Sequence, residues 1–569
     1  MISKAKAKGL SASELLAETR ADALKQRGKE NASSKSSPPN DVDHVVAEIY
    51  AAYERSLRKS NSLDFDDLLL FGVKLLSQHT LSVSWCRHVL VDEFQDTNAI
   101  QYELMKIIGR NADDCVTVVG DPDQSIYGWR SAEVANLAKM QKDFPATVNI
   151  ILGENYRSTA GILKASLAIV SQDKARLPKS LHTSHPSGNV PSLLSFSSER
   201  DEAAFISVEI KRLVAHMGGV LNWGDFAILL RFNALSRTIE SALQKEGIPN
   251  RILGGHKFFE RLEIKDLLAY LQLVDNPQFV PAFARAINVP SRGIGEKTVA
   301  EIFVRADKTK STPLEVIEKI CDGRMPDIKP PVKRKVASFV AAIRSLRKLA
   351  SEGSSPVDIL RQLLTLIAYE DHLKQSQSDW ESRWENVQEL ITFASEAVYD
   401  SPDDGEPFKT AERPEDEGST PLRMFLQASM LSSEGDQQAE SDNKDKVTIA
   451  TCHAAKGLEW PVVLIPSVEQ GTFPFYRCDD VEEERRLLYV ACTRAQALLY
   501  LTSASKRLIS GETKNTTLST FVSTVTTEDP SLFDHKAPDL LPSDRAVVSR
   551  VLGRLEPQHN EVIRRVAEL

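Results

Sequence analysis

The chain reads Val89-Leu90-Val91-Asp92-Glu93-Phe94-Gln95-Asp96-Thr97, and this stretch decides the fold. Its three leading apolar residues predict a short buried strand, and two carboxylates follow at once. Ligands bind at the carboxyl ends of strands in an open parallel sheet. A hard cation such as Mg²⁺ takes one or two carboxylates with phosphate oxygens, and a second carboxylate can deprotonate a water molecule. By itself the stretch fits either such a site or a solvated acidic turn.

Two further apolar runs end in polar residues. Val116–Val119 leads into Gly120–Arg130, and Val148–Leu152 leads into Glu154–Ser158. The first of these loops offers an amide to a phosphate, two aromatic faces and a fixed cation. These groups belong to Gln124, Tyr127, Trp129 and Arg130. Three strand ends that carry polar clusters predict one shared site rather than three unrelated loops.

The polar segments carry a family resemblance. DEFQDT at Asp92–Thr97, GDPDQSIYGWR at Gly120–Arg130 and ENYRS at Glu154–Ser158 closely resemble motifs II, III and IV of the UvrD/PcrA/Rep helicases of superfamily one. Val447–Trp460 and Glu483–Ala495 resemble motifs V and VI. The five segments occur in the family's order over roughly residues 1–520. Together they make the resemblance specific.

The resemblance implies an α/β fold with two RecA-like parallel-sheet domains, 1A and 2A, and mainly helical insertions, 1B and 2B. Alternation of strand-like runs with helical ones such as Ile100–Ile108 and Ala160–Ser171 agrees with a parallel sheet. Further apolar runs predict strands at Phe226–Leu230, Val447–Thr451 and Val462–Ile465. We also predict a flexible loop at residues 31–40, a short helix at Pro421–Leu431 within the disordered segment Asp400–Lys446, and a helical tail at Asp544–Leu569. Domain 1A is expected to be incomplete. We expect part of 1B in residues 1–60, partial 1A in 61–158, the first part of 2A in 159–275, 2B with an acidic disordered end in 276–440, the second part of 2A in 441–520, and a C-terminal tail in 521–569.

The resemblance implies an ATP-dependent helicase that binds ATP and Mg²⁺ between 1A and 2A. Asp92 would coordinate Mg²⁺, and Glu93 would be the base for the attacking water. Gln124 would sense the γ-phosphate.

The 2A side would hold the rest of the nucleotide. By resemblance, Tyr156 would stack on the adenine and Glu459 would contact the ribose. Arg157 and Arg494 would clamp the γ-phosphate and stabilise the charge that develops there.

The implied partners are single-stranded DNA and junctions of single- and double-stranded DNA. Trp129 would be the base-stacking platform, with Tyr127 near it. Thr451 and His453 would touch the backbone. A lone histidine is more often structural than functional, and only its place in motif V favours His453. Translocation would run 3′ to 5′ if the family's polarity holds, in DNA repair or recombination control, with repair or recombination proteins as further partners.

A glycine-rich turn needs separate treatment. Arg292–Thr298 superficially resembles a phosphate-binding loop, but the spacing GxxxxGK(S/T) is not met. It resembles the family's GIG segment, in which Gly293 and Gly295 would hold a DNA phosphate on backbone amides at a helix N-terminus. A helix-start turn without a ligand is the alternative.

No GxxxxGK(S/T) occurs anywhere in the chain. The family carries this Walker A loop upstream of where the chain begins, and the loop is the main cradle for the β- and γ-phosphates. We expect a truncated gene model or fragment, because the other motifs keep the residue types that hydrolysis needs. The alternative is a catalytically dead scaffold that binds single-stranded DNA. An RNA-directed relative is a further alternative, and no nuclease motif follows Arg494.

Length and composition limit the number of domains and the kinds of site and partner to expect. The 569 residues are too many for one core. No apolar run approaches the ~18 residues of a membrane span, so no membrane partner is expected. Six cysteines without a CxxC pair argue against zinc or iron–sulfur sites. Residues 401–446 hold 12 acidic and 5 basic residues, most of the net charge of −9. The remainder can therefore carry a basic groove. We expect a nuclear location in a eukaryote and otherwise a cytoplasmic one.

An acidic cluster precedes the first apolar strand. Asp64, Asp66 and Asp67 could be mistaken for metal ligands. We interpret them as carboxylates at a helix N-terminus, where they complement the helix dipole.

Overall fold

The residues described by the computed structural model are 1–17, 41–111, 115–128, 131–133, 135–177, 179–328, 331–399, 420–431 and 445–568. The predicted loop 31–40, the side chains of Trp129 and Arg130, and most of the predicted disordered segment Asp400–Lys446 lie outside these residues. The chain forms two units. Unit 1 comprises residues 1–154, 167–182 and 478–490, and unit 2 comprises 155–166, 183–477 and 491–569.

Unit 1 has a small parallel sheet with helices around it. Its two strands are β1 (Val89–Val91) and β2 (Val116–Val118), with Leu90 opposite Thr117. Residues 12–17 are also helical. The other helices are α1 (Ile2–Ala7), α2 (Asp41–Lys59), α3 (Phe65–Gln78), α4 (Ala99–Asn111) and α5 (Ala135–Asp143). The core between sheet and helices is small, and its buried members are Phe94, Tyr102, Met105, Met140 and Phe144.

The prediction of a third strand at Val148–Leu152 is wrong. This run has no regular secondary structure, and the side chains of Val148, Ile150, Ile151 and Leu152 are 66–81% exposed. An extended segment becomes a strand only when a neighbour accepts its backbone hydrogen bonds. Among the described residues, the sheet formed by β1 and β2 has no third strand.

The acidic cluster before α3 is a helix cap, as predicted. The Asp64 carboxylate accepts from the Asp67 backbone N–H, and the Asp67 carboxylate accepts from that of Asp64. Both also pair with the fully buried Lys6 ammonium, whose Nζ lies 2.7 and 2.6 Å from the two carboxylates. The cluster therefore fastens α1 to α3.

Unit 2 is organised around a six-stranded, wholly parallel sheet in the order β5-β10-β9-β6-β8-β7. All five residues of the central β6 are buried, as the apolar run of β6 predicts. The predicted strand Val462–Ile465 lies within β9. The short β3 (Glu154–Asn155) and β4 (His182–Thr183) lie at the unit boundaries. The six sheet strands are β5 (Ser192–Phe196), β6 (Phe226–Leu230), β7 (Asn250–Ile252), β8 (Val447–Thr451), β9 (Trp460–Ile465) and β10 (Ala495–Ala504).

Helices cover this sheet, and an α-helical region with its own large core is inserted between β7 and β8. The helices are α6 (Ala160–Val170), α7 (Glu199–His216), α8 (Ser236–Lys245), α9 (Leu262–Asp275), α10 (Val280–Ala286), α11 (Glu296–Thr309), α12 (Pro313–Cys321), α13 (Lys333–Ser351), α14 (Pro356–Leu366), α15 (Tyr369–Ser376), α16 (Trp380–Tyr399), α17 (Pro421–Leu431) and α18 (Val481–Cys492). Residues 167–170 of α6 and 481–490 of α18 belong to unit 1.

The chain beyond residue 504 completes unit 2. A hairpin of β11 (Lys506–Ile509) and β12 (Glu512–Asn515) follows the sheet. The predicted helical tail is present as α20 (Pro542–Val551) and α21 (His559–Glu568), preceded by α19 (Thr520–Glu528). Among the described residues, no helix combines the length and apolar character that a membrane crossing requires.

Candidate functional site

Two adjacent carboxylates stand at the carboxyl end of β1. Asp92 and Glu93 are both exposed, and an Asp92 oxygen accepts a 2.8 Å hydrogen bond from the Glu93 backbone N–H. Glu93 has φ +50° and ψ +40°, a left-handed conformation that costs a residue with a side chain about 1–3 kcal/mol. Such strain persists where the surroundings hold it, and it concentrates at functional sites. The backbone of this turn therefore agrees with the predicted site, which stays a prediction.

An open cavity of about 390 Å³ adjoins these carboxylates. Its lining combines both acidic residues with the apolar side chains of the unit 1 core. The lining residues are Val91, Asp92, Glu93, Phe94, Asp96, Thr97, Gln101, Tyr102 and Met105. The cavity is large enough for a polar ligand group to approach the carboxylates.

The loop after β2 lies against the same end of β1. The Phe94 N–H donates to the Val119 carbonyl at 3.0 Å, so the two strand ends are adjacent, as predicted. We call residues Gly120–Gly128 the β2 loop. In this loop the Gln124 side-chain amide donates to the Asp121 carboxylate at 3.0 Å. Unit 1 thus brings Asp92, Glu93 and Gln124 to one edge of its sheet.

The carboxylates at this edge fit a hard cation that binds the protein through only one or two side chains. Within the described ranges, no three His, Cys, Asp or Glu side chains are arranged to hold a metal ion. Mg²⁺ is usually bound through one or two carboxylates, with water and substrate phosphates completing the shell. Asp92 is exposed at a strand end and can serve as that one carboxylate.

Unit 2 places a second polar cluster at the amino ends of its strands. Glu459 directly precedes β9, and its carboxylate accepts from the Arg157 Nε at 2.5 Å and from the Gln496 amide at 3.0 Å. The Arg157 backbone is itself fixed by the Asn155 side chain, which accepts the N–H groups of Arg157 and Ser158. Glu459, the predicted ribose contact, and Arg157, one of the two predicted phosphate clamps, therefore form an ion pair in this structure.

Arg494 directly precedes β10 and is only 1% exposed. Its guanidinium donates to the Leu458 carbonyl and to the Thr493 hydroxyl, both at 3.2 Å. The guanidinium stays charged although it is buried, because arginine does not lose its proton in proteins. Arg494 thus provides a preorganised positive charge beside Glu459.

Tyr156 is the most accessible aromatic residue of this cluster. Its side chain is 78% exposed, and its backbone carbonyl meets the His185 Nε2 at 2.7 Å. An exposed ring on a fixed backbone is suited to stacking on a planar ligand.

The opposite edge of the same sheet carries the predicted DNA contacts. Thr451 ends β8 and His453 follows it. Burial, with a smaller contribution from the Arg231 charge, lowers the pKa of His453 to about 4. The imidazole is therefore neutral near pH 7 and would meet a phosphate as a hydrogen-bond donor rather than as a cation.

An aromatic and basic cluster at this edge was not predicted from the sequence. Arg231 follows β6 directly and lies 4.7 Å from the centre of the Phe475 ring. Tyr476, next in the chain, is 63% exposed and is covered on one face by Arg477, 4.9 Å from its ring centre. One signal was available, since Arg231 stands at the carboxyl end of a buried strand in the same way as Thr451.

The GIG turn in the helical region begins α11, as predicted. Gly293 has φ +65° and Gly295 is the N-cap residue. The Arg292 guanidinium anchors the turn by donating to the carbonyls of Ala286, Ile287 and Val289. The Lys335 ammonium donates to the Gly293 carbonyl at 2.7 Å and adds a positive charge that sequence spacing did not indicate.

The predicted site residues thus divide into separate groups. Unit 1 gathers Asp92, Glu93 and Gln124, with Tyr127 in the same β2 loop. Unit 2 gathers Tyr156, Arg157, Glu459 and Arg494 at the amino edge of its sheet, and Thr451 and His453 at the carboxyl edge. The single shared site for all three polar segments stays a prediction.

Comparison with known proteins agrees with this architecture. The family model for the UvrD-like helicase C-terminal domain matches residues 150–506, and that for the UvrD/REP helicase N-terminal domain matches residues 2–145. Parallel sheets with two sets of strand-end residues define a RecA-like α/β protein. The chain belongs to the UvrD-like helicase family.

Curated relatives support this assignment. The chain is 39% identical over 476 residues to ATP-dependent DNA helicase srs2 of Schizosaccharomyces pombe, a match that covers 82% of this chain and 52% of that protein. It is 36% identical over 501 residues to ATP-dependent DNA helicase PcrA of Leuconostoc citreum, with 86% and 64% covered. For ATP-dependent DNA helicase UvrD1 of Mycobacterium leprae the identity is 37% over 493 residues, with 83% and 63% covered. The chain spans between half and two thirds of the length of these relatives.

Proposed function

We propose that this chain belongs to an ATP-dependent 3′ to 5′ DNA helicase that acts in DNA repair or recombination control. ATP and Mg²⁺ would be its cofactors and single-stranded DNA its track. The relatives whose names describe ATP-dependent DNA helicases support this proposal.

One observation in unit 2 carries the proposal. The same sheet presents arginines at the amino ends of its strands and a neutral histidine, a threonine and an exposed tyrosine at the carboxyl ends. Positive charge at the first edge suits a transferring phosphate, and aromatic and hydrogen-bonding groups at the second suit a nucleic-acid strand.

The roles of the nucleotide-binding residues follow from their positions. Asp92 would hold Mg²⁺, and Glu93 would accept the proton of the attacking water. Gln124 would sense the γ-phosphate. A bound Mg²⁺ would neutralise phosphate charge.

On unit 2, Arg494 is already oriented by the Leu458 carbonyl and the Thr493 hydroxyl. Arg157 would have to exchange Glu459 for a phosphate oxygen, which frees Glu459 for the ribose hydroxyls. Tyr156 would stack on the adenine.

A scaffold that binds DNA without hydrolysis is the second candidate. The sequence contains no GxxxxGK(S/T), and Leu90 in β1 is 76% exposed. Without that loop the chain lacks the amide cradle that holds β- and γ-phosphates. DNA binding at the carboxyl edge of the unit 2 sheet does not depend on that cradle.

The deciding experiment measures ATP hydrolysis by the chain with and without oligo(dT), beside Glu93→Gln. Hydrolysis that oligo(dT) stimulates and Glu93→Gln abolishes would support the helicase proposal. Glu528→Gln is the matched control, because it removes the same charge at an exposed position that is not among the candidate site residues. A folded chain that binds oligo(dT) but hydrolyses nothing supports the scaffold. A folded chain that binds no oligo(dT) contradicts both.

A further inference from the structure

A hydrogen-bonded chain runs from Glu93 into the β2 loop through one side chain, Gln95. Its side-chain amide donates to the Glu93 carboxylate at 2.5 Å. Its amide oxygen accepts from the Asp121 backbone N–H at 2.9 Å. Gln95 is only 6% exposed, so these bonds are sheltered from water. A glutamine is needed here because it offers a donor and an acceptor on one rigid group.

Gly120 makes this approach possible. A Cβ at position 120 would lie 2.5 Å from the Gln95 amide oxygen and 3.1 Å from the Phe94 nitrogen. No side chain fits at that distance without displacing the amide. The close packing of glycine against glutamine therefore fixes where the β2 loop begins relative to Glu93.

Further bonds hold the start of the loop. Asp121 and Asp123 pair with Lys179, and Asp123 also pairs with Arg176 at 2.8 Å. Gln124 donates to the Asp121 carboxylate. The loop residue that contacts Gln95 is thus tied to the predicted γ-phosphate sensor.

The end of the loop is held by the beginning of α18. The Arg486 Nε donates to the Ser125 carbonyl at 2.8 Å, and the Gly128 N–H donates to the Glu483 carboxylate at 3.0 Å. Tyr127 lies between these two anchors. Both ends of the loop that contains Tyr127 are therefore held by hydrogen bonds.

We propose that Gln95 is a positioning residue through which a nucleic-acid strand bound at the β2 loop orients the Glu93 carboxylate. The inference rests on the proposed function, in which Glu93 activates water and Tyr127 contacts DNA. Glu93 occupies a left-handed backbone conformation, and its carboxylate accepts a hydrogen bond from the Gln95 side chain. Gln95 itself touches neither water nor nucleotide in this scheme.

The test follows hydrogen–deuterium exchange in peptides that contain residues 92–97, with and without oligo(dT). The Asp96 N–H donates to the Glu93 carbonyl at 2.9 Å and reports the state of this turn. We expect oligo(dT) to slow its exchange by about fivefold or more, the lower range of typical coupling between sites. In Gln95→Met, oligo(dT) should bind with unchanged affinity while this slowing disappears.

Two further variants separate coupling from simple structural support. Gln141→Met makes the same change at an exposed helix position of unit 1 and should keep the wild-type response. Gly120→Ala retains Gln95 but displaces its amide, and should lose the response as Gln95→Met does. If Gln95→Met fails to fold, Gly120→Ala tests the proposal in its place.

The outcomes distinguish this inference from the proposed function. If oligo(dT) does not bind the folded wild-type chain, the proposed function fails and the inference fails with it. If oligo(dT) binds but the Asp96 amide does not respond, or still responds in Gln95→Met or Gly120→Ala, the inference alone is overturned.

Discussion

The sheets of the two units contain similar apolar segments in opposite surroundings. In unit 2, β6 lies between β8 and β9, and all of its residues are at most 1% exposed. In unit 1, β1 has β2 as its one strand neighbour among the described residues, and Leu90 is 76% exposed. Parallel sheets are normally covered on both faces. The difference teaches that an apolar run favours a strand, while its pairing and burial depend on which other segments lie beside it.

Two apolar runs make the same point more sharply. Val462–Ile465 and Val148–Leu152 are both short and apolar. The first lies within β9 between β10 and β6 and is fully buried, while the second has no strand neighbour and remains exposed. Candidate site residues nevertheless occur in both units, because each lies in a contiguous segment at a strand end.

The largest expected effect on stability comes from breaking the buried ion clusters of the two units. Arg507 pairs with Glu202 and with Glu469, whose Oε2 lies 2.6 Å from the Arg507 Nε, and all three side chains are at most 8% exposed. Arg507→Met should lower the free energy of unfolding by about 3–5 kcal/mol, because two buried carboxylates lose their partner. Urea unfolding of unit 2 would measure this.

A neighbouring residue and unit 1 supply the controls. Lys506→Met, at an exposed position, should change stability by less than about 0.5 kcal/mol. Lys6→Met should lower the free energy of unfolding by less than Arg507→Met does. Its partner Asp64 has a side chain that is 26% exposed, so that carboxylate can be hydrated when the lysine is lost. Equal losses in both units would contradict the contrast between them.

The second prediction compares the strands themselves. Ile228→Ala in β6 should lower the free energy of unfolding by about 2–5 kcal/mol, since the side chain is fully buried and its truncation leaves a cavity. Leu90→Ala in β1 should change stability by no more than about 0.5 kcal/mol. Thermal unfolding of both variants would test this. A large loss from Leu90→Ala would mean that β1 is covered in solution.

The third prediction concerns exposed aromatic residues. Tyr476→Ala should weaken oligo(dT) binding by about 1–3 kcal/mol, the usual contribution of one stacked base. Trp85→Ala in unit 1 should not change the affinity, although Trp85 is 78% exposed. Fluorescence anisotropy with labelled oligo(dT) would separate the two. Equal losses would place nucleic acid on a different surface.

The smallest expected effect is a pH dependence of unit 2. The folded-state pKa of His453 is about 4, below its ordinary 6.5, so the unfolded chain takes up the proton first. Stability is therefore fully present above about pH 6.5 and falls as the pH is lowered towards 4, by about 1–2 kcal/mol after allowance for solvent screening. Thermal unfolding of His453→Gln should lack this part of the decline. An unchanged decline would show that His453 is not responsible.

Much of the local structure could be predicted from the chain alone. Val447–Thr451 is a strand and Pro421–Leu431 a helix with the predicted limits, since both follow hydrophobic periodicity and clear start and stop residues. The cap at Asp64 was predictable because capping involves residues three apart. The polar strand ends were predictable because each motif is contiguous.

The partners of those motifs were not predictable. Lys179 and Arg176 meet Asp123 across more than 50 residues, and Glu483 meets Gly128 across 355. No local pattern specifies such pairs. The role of Gln95 also emerges only when the β2 loop is placed against it.

The sequence by itself determined the order of the motifs, the residue types at each strand end and the family, because these depend on contiguous segments. The tertiary structure alone decided which apolar runs became buried strands, which charges were paired and which histidine stayed neutral. The physical reason is that burial and hydrogen bonding depend on neighbours from distant parts of the chain. Within the described residues, β6 has those neighbours and Val148–Leu152 does not.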